Sequence, residues 1–436
     1  MNGWVRQMGF PVITINTNTG QISQEHFLLD PDSRPSVPPS EFKYEWIVPI
    51  KWMEAGVVQK EIWLLKKKDK NNMLTSDQWV LANLNVTGYY RVNYDIGNWE
   101  RLLAQLSTNH QVIPVINRAQ LVDDAFNLAR ANLISTTLAL RTTKYLSKEI
   151  EYIPWESALD NLEYFYLMFD GTEVYWTMQD YMRNLVTPLF QHFKSLTSNW
   201  TKVPEDHSDQ YNEVNAIRVA CSSGLEECQS LTKVLYRQWM DDPDNNRIHP
   251  NLRTVVYCSA IAAGGVLEWD FGWNMLKNAT IASEADKLMS SLACTKDNFL
   301  LKRYLDYTLD PDKIRKQDAT SVILFISSNV EGEKLAWDFV TKNWHNMFTQ
   351  YGVGSFSFAN LISGVTKGFS TSDERDQLHK FKEDNSDIGF GSGTLALEQA
   401  IERTNANIKW VNKNQQDVLN WFLSETKHFC IGCPTG

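Results

Sequence analysis

A mainly α fold with an N-terminal β-sandwich, its helices wound as a HEAT- or armadillo-like superhelix of helix hairpins, is what this 436-residue sequence predicts. Three observations carry the expectation. Short β-like runs separated by turn residues fill the first part of the chain. After Asn98 the apolar period changes from two to about 3.6 and keeps that value to the C-terminus. The composition, 43% hydrophobic with 16 Trp, 16 Tyr and 20 Phe, is that of a packed protein, and the length exceeds what one core usually fills. The expected domains are therefore 1–97, a small β-sandwich, and 98–436, a helical superhelical domain.

In chain order, the opening Met1-Asn-Gly-Trp4 is read without a leading helix, followed at once by the strand-like Pro11-Val-Ile-Thr-Ile15. Asn16-Thr-Asn-Thr-Gly20 and Asp30-Pro-Asp-Ser-Arg-Pro35 supply turns. In Tyr44-Glu-Trp-Ile-Val-Pro-Ile50, Tyr44, Trp46, Val48 and Ile50 share one side of an expected strand. Lys60–Leu65, Gln78–Leu84 and Tyr89–Tyr94 are further short runs. In the helical part, Val115, Ala119, Val122, Phe126, Ala129 and Leu133 form one stripe, with Arg118, Gln120, Asp123 and Asp124 facing elsewhere. Trp155, Leu159, Leu162, Tyr166 and Phe169 form another. Similar stripes, broken by turns such as Gly264-Gly265 and Asp310-Pro-Asp312, predict roughly fifteen helices. Gly389-Phe-Gly-Ser-Gly393 reads as a link between helices, with Ser392 or Thr394 capping the next one. It lacks the Lys-Ser/Thr pair of a phosphate loop.

The formal net charge of −10 is spread along the chain, whereas a duplex-binding protein needs a basic face; nucleic acid is not an expected partner. No apolar run approaches the ~18 residues of a membrane span, and no signal peptide opens the chain. Three N-x-T acceptors, at Asn85, Asn199 and Asn278, together with an even number of cysteines, nevertheless point to a secreted compartment, with any export signal upstream of Met1. None of the eight histidines belongs to an H-E-x-x-H helix, so no zinc ligands and no catalytic residues are expected in this chain. G-x-S-x-G is absent as well. Cys221 and Cys228 flank a turn, and Cys258 and Cys294 lie on separate expected helices. Closing these loops would stabilise by about 2.5 and 4 kcal/mol; reduced buried thiols are the alternative. Cys430-Ile-Gly-Cys433 reads as a tail feature without chemistry, a redox pair or half of a zinc site being the other readings. Most Trp and Tyr of the helical part fall on apolar stripes and read as core.

Several phrases, in this order, resemble the gluzincin zinc aminopeptidases: Trp4-Val-Arg-Gln-Met-Gly-Phe-Pro-Val12, Ser23-Gln-Glu-His-Phe27, Gly88-Tyr-Tyr-Arg-Val-Asn-Tyr-Asp95, Ile113-Pro-Val-Ile-Asn-Arg-Ala-Gln120, Ile248-His-Pro-Asn-Leu-Arg253, Ile314-Arg-Lys-Gln-Asp-Ala-Thr320, Trp337-Asp-Phe-Val340 and Ala406-Asn-Ile-Lys-Trp410. The resemblance runs from about Met1 to Lys427 and departs at the tail. It implies that the chain is the C-terminal, non-catalytic portion of a membrane-anchored ectoenzyme, and that the zinc helix, the substrate loop and the catalytic tyrosine lie upstream. Zinc is the full-length enzyme's cofactor; none is implied in this chain. The helical domain would cap the active-site cleft, limit peptide access and support a homodimer. The cysteine pairs 221–228 and 258–294 match the family's disulfides by position. Arg315, Gln317 and Asp318 would face the peptide cavity, the guanidinium holding a peptide carboxylate; an Arg315 pair with Asp312 or Asp318 is the structural alternative. The segment around Asn199 lies in a region that viral spike proteins use in the family. A free-standing peptide-binding or receptor-like solenoid is the competing expectation.

Overall fold

The computed structural model describes residues 2–351 and 357–427, and the chain divides into two compact units: Met1–Glu163 with Gln191–Asn212, and Tyr164–Phe190 with Glu213–Gly436. Cys430, Cys433 and the rest of the tail lie outside the described residues.

The first unit opens with one helical turn, α1 (Asn2–Val5), then the strands β1 (Pro11–Asn16), β2 (Gln21–His26), β3 (Val48–Ile50), β4 (Trp52–Glu54), β5 (Val57–Val58), β6 (Ile62–Leu64), β7 (Lys68–Lys70), β8 (Val80–Ala82) and β9 (Arg91–Tyr94). They form a four-stranded sheet in the order β7-β2-β1-β9, a β3-β6 pair and a three-stranded sheet β5-β4-β8. β1 runs antiparallel to β2, Pro11 opposite His26, and parallel to β9, Val12 opposite Arg91. Its β-branched residues suit a strand buried on both faces, and Val12, Ile13 and Ile15 are within 1% of full burial. The β1–β2 turn closes through Asn16, whose carbonyl accepts from the Gly20 N–H at 2.8 Å. Gly20 has φ +72°, and a Cβ there would meet the Asn71 carbonyl oxygen at 2.5 Å, so glycine is required twice over. Asp95 joins sheet to helix. One of its oxygens accepts from the Thr17 N–H (2.6 Å) and hydroxyl (2.7 Å) while the other caps α2 (Ile96–Asn109) through the Asn98 N–H. α3 (Val115–Arg130) and α4 (Thr136–Arg141) follow.

α5 (Tyr152–Phe169), α6 (Glu173–Leu196) and α7 (His207–Ser222) each contribute residues to both units. The second unit continues with α8 (Glu226–Asp241), α9 (Arg253–Ala263), α10 (Val266–Asn278), α11 (Ala282–Leu292), α12 (Asn298–Tyr307), α13 (Lys316–Ser327), α14 (Glu333–Tyr351), α15 (Ser357–Val365), α16 (Ser372–Asp384) and α17 (Thr394–Lys427). Helices near in sequence pack together: α8 on α9, α9 and α10 on α11, α13 on α14 and α15, and α15 and α16 on α17. This is the stacking of helix hairpins that the 3.6-residue period predicts. Trp269, Trp344, Tyr304 and Phe358 are among its fully buried side chains. Trp410 of α17 packs edge-on against Tyr164 and Phe165 of α5, with centroids 4.9 and 5.2 Å away.

Four local expectations need correction. A leading helical turn exists: the Asn2 carbonyl accepts from the Arg6 N–H at 2.9 Å, and Trp4 is anchored on Trp46 and the Ile47 carbonyl. Only Val48–Ile50 of the 44–50 run pairs as strand. Lys43 and Tyr44 take left-handed φ values of 56° and 55°, which lay the Tyr44 ring flat on His26 at 4.3 Å instead. More than one face of α3 is buried: Arg118, Gln120 and Asp124, off the apolar stripe, are 3%, 8% and 4% exposed. They are buried because each is paired: Arg118 with Glu149, Gln120 and Asp124 with one another, and Asp124 also with Arg91 and the Val92 N–H. An apolar period marks the stripe but is blind to a polar face whose partners lie elsewhere in the chain. Thr394 is the first residue of α17 rather than its cap, and its hydroxyl donates back to the Gly391 carbonyl at 3.0 Å.

Candidate functional site

At the start of α13, Ile314 is buried and Arg315 occupies the N-cap position with extended backbone. The Arg315 Nε donates to Asp318 Oδ2 at 2.7 Å, the side chains being 69% and 20% exposed. A pair this open contributes about 0.5 kcal/mol. Gln317 is exposed beside it. The structure thus brings the three residues to one exposed helix start and joins two of them. The remaining guanidinium N–H groups have no partner among the described residues and stay available to a carboxylate.

A second charged group belongs to the same unit and has no sequence motif. Asp170 follows α5, Glu331 lies in the turn before α14, Glu333 begins α14, and Glu374 lies in the first turn of α16. Glu374 Oε2 accepts from the Ser370 and Thr371 N–H groups at 2.8 and 2.9 Å, a capping box with Thr371. Burial pushes the Glu333 carboxyl up to about 8, and Glu374 and Asp170 push it the same way. Burial also lifts Asp170 to about 6, with Glu331 and Glu374 adding to it against the Gly171 N–H. Among the described residues none of these four carboxyls has a cationic partner within ion-pair distance. Sequence reasoning missed the group because its members are scattered over two hundred positions and each alone reads as a surface acid.

Two disulfides sit in the same unit. Cys221, at the end of α7, joins Cys228 at the start of α8, with Cα atoms 5.1 Å apart. Cys258 of α9 joins Cys294, just past α11, at 5.3 Å. The three acceptor asparagines are all exposed. Asn85 has φ +57°, Asn199 lies in a run of three left-handed residues with Ser198 and Trp200, and Asn278 ends α10. Among the described residues no group of three or more His, Cys, Asp or Glu could hold a metal ion, and no helix is long and apolar enough to cross a membrane.

In the first unit the β3–β6 pair has one face inside and one outside. Val48, Ile50 and Leu64 are fully buried, while Ile47, Trp63 and Leu65 are 56%, 50% and 66% exposed. Pro49 lies opposite Trp63, and continuing that register sets Ile47 opposite Leu65, so the exposed residues share one apolar face. Large apolar side chains thus lie on both faces of this strand pair, and on the outer face they are exposed.

Residues 79–406, three quarters of the chain, match the family model described as the ERAP1-like C-terminal domain, and the chain belongs to that family. Its relatives make the assignment narrower. Human aminopeptidase N is 56% identical over 429 residues, 98% of this chain and 44% of that protein, and chicken aminopeptidase Ey is 56% identical over 431 residues. The mouse thyrotropin-releasing hormone-degrading ectoenzyme is 32% identical over 442 residues, again 98% of this chain. The sequence is therefore that of the C-terminal part of an aminopeptidase N-like protein, and it spans less than half the length of the curated relatives it matches.

Proposed function

We propose that this chain serves as the non-catalytic C-terminal portion of a membrane-anchored zinc metalloaminopeptidase that removes N-terminal amino acids from peptides at the outer face of the plasma membrane. In this reading its helices cap the active-site cleft and limit peptide access, and they support a homodimer. Arg315 receives the carboxylate of a longer peptide. The exposed Asn199 segment is the surface open to viral spike proteins. The side chains described do not fit a zinc site, so the metal and its Lewis-acid chemistry fall to the portion of the relatives' length outside the match.

The observation that carries the reading is the outward face of Ile47, Trp63 and Leu65. Three large apolar side chains on one short strand pair are what a cut intramolecular interface leaves exposed. The test is to co-express the chain with the remaining N-terminal part of human aminopeptidase N as a separate polypeptide. A stoichiometric complex with chelator-sensitive activity on an alanine amide is expected, and Trp63→Ser with Leu65→Ser should abolish the complex while leaving the chain folded. No complex with the parent chain, or an equal complex with the double variant, refutes the assignment of that face.

A further inference from the structure

Four pieces of the first unit meet at one buried carboxylate. The Glu149 side chain is 0% exposed and follows the 3-10 turn Lys144–Lys148. Its Oε1 accepts from the Ile150 and Glu151 N–H groups, both at 3.1 Å, and so fixes the chain entering α5. Its Oε2 lies 3.0 Å from Arg118 Nε of α3, and that guanidinium is 4% exposed. Arg118 Nη1 also donates to the His110 carbonyl at 3.3 Å, tying in the 3-10 turn His110–Val112. The Glu149 carbonyl accepts from the Trp155 indole one turn into α5 at 2.9 Å.

The His110 imidazole, 13% exposed, stands against this centre with Nε2 4.0 Å from Glu149 Oε1. The titratable and charged groups facing it are Glu149, Arg118, Lys148 and Tyr145; the Tyr145 ring centroid is 5.6 Å away, and Lys148 is held by the Ser107 carbonyl at 2.7 Å. With His110 neutral the buried cluster is one guanidinium matched to one carboxylate. We propose that this cluster is an acid-sensitive latch, in which protonation of His110 loosens the start of α5 and the two 3-10 turns packed on it. A second cation then enters a site whose only carboxylate is already engaged by Arg118 and two backbone N–H groups, and desolvation opposes it. Burial accordingly holds His110 below its ordinary value, with Arg118 and Lys148 adding to it and Glu149 opposing. The sign follows. The unfolded chain takes up the proton near pH 6.5 and the folded chain only at lower pH. The His110 contribution is therefore complete above about pH 6.5 and is lost as pH falls toward the folded value.

The test is amide hydrogen exchange on the whole chain at pH 7.4 and 5.5, corrected for the intrinsic pH dependence of exchange. In the parent protein, protection of residues 149–158 should fall on acidification, by at most about tenfold, and more than in β1 or β9 of the same unit. His110→Gln, which cannot charge, should lose that pH-dependent part. Lys148→Met removes one of the two cations opposing the proton and should shrink the loss, because the folded and unfolded values then lie closer. Equal acid-induced loss in the parent and in His110→Gln, or no local loss in the parent, overturns the latch. Should His110→Gln fail to fold, an unchanged pH dependence in Lys148→Met overturns it equally.

Discussion

Removing the charge of Glu149 isolates the most deeply buried ion pair described in the chain. In Glu149→Gln the amide oxygen can still accept from the Ile150 and Glu151 N–H groups, so the entry to α5 keeps its cap. What disappears is the counter-charge 3.0 Å from Arg118 Nε, in a place where the two side chains are 4% and 0% exposed. At an effective dielectric of about 20, opposite charges ~4 Å apart attract by about 4 kcal/mol. Truncating one partner of a buried pair leaves the other uncompensated and costs about 3–5 kcal/mol. Glu149→Gln should thus destabilise by about 3 kcal/mol, and Arg118→Met by a similar amount. The double variant has no stranded charge, so its cost should fall short of the sum by about 2 kcal/mol or more. The assay is urea unfolding followed by circular dichroism and tryptophan fluorescence, which separates the two units if they melt apart. Additivity within about 0.5 kcal/mol would mean that the two side chains do not act on one another in the folded protein, and the account of the buried face of α3 would fail.

Three further outcomes are expected. Opening Cys258–Cys294 by a double serine substitution should destabilise by about 4 kcal/mol and opening Cys221–Cys228 by about 2.5 kcal/mol, because the sequence separations are 36 and 7; equal midpoint shifts in denaturant would contradict the loop-entropy ordering. Glu333→Gln tests the crowded carboxyls. Burial, with Glu374 and Asp170 adding to it, raises the folded-state value to about 8, so the stability this group carries is present at acid pH and lost as pH rises from the ordinary carboxyl range through that value; the variant should be more stable than the parent at pH 9, by about 3–5 kcal/mol, and match it near pH 4, and a pH-independent difference in melting midpoint would refute the raised value. Arg315→Ala in an enzyme of full family length should raise KM for longer peptides and leave KM for a dipeptide amide unchanged; no change for either removes Arg315 from the peptide path.

The architecture was legible because the helical stripes and the β-branched run at β1 are local signals that tertiary structure did not overrule. The places where reading failed have one cause. Arg118, Gln120 and Asp124 look like a solvated helix face until Glu149, Arg91 and the Val92 N–H are brought to them by the fold. Tyr44 fits a two-residue alternation until the left-handed backbone at Lys43 and Tyr44 turns its ring onto His26. Asp170, Glu331, Glu333 and Glu374 share no spacing at all. The cysteine pairs were expected from spacing, with reduced thiols as the alternative, and from the family resemblance, whereas the outward apolar face of β3–β6 needed the Pro49–Trp63 register, which no single strand contains. Arg315 and Asp318 stood three residues apart on an expected helix start, a spacing that allows the pair now seen.

The assignment as a non-catalytic portion is tested most directly by assaying the purified 436-residue chain on an alanine-amide reporter, with and without added zinc, alongside metal analysis of the same sample. No hydrolysis and less than stoichiometric zinc are expected. Hydrolysis that a chelator abolishes, with one zinc per chain, would contradict the assignment.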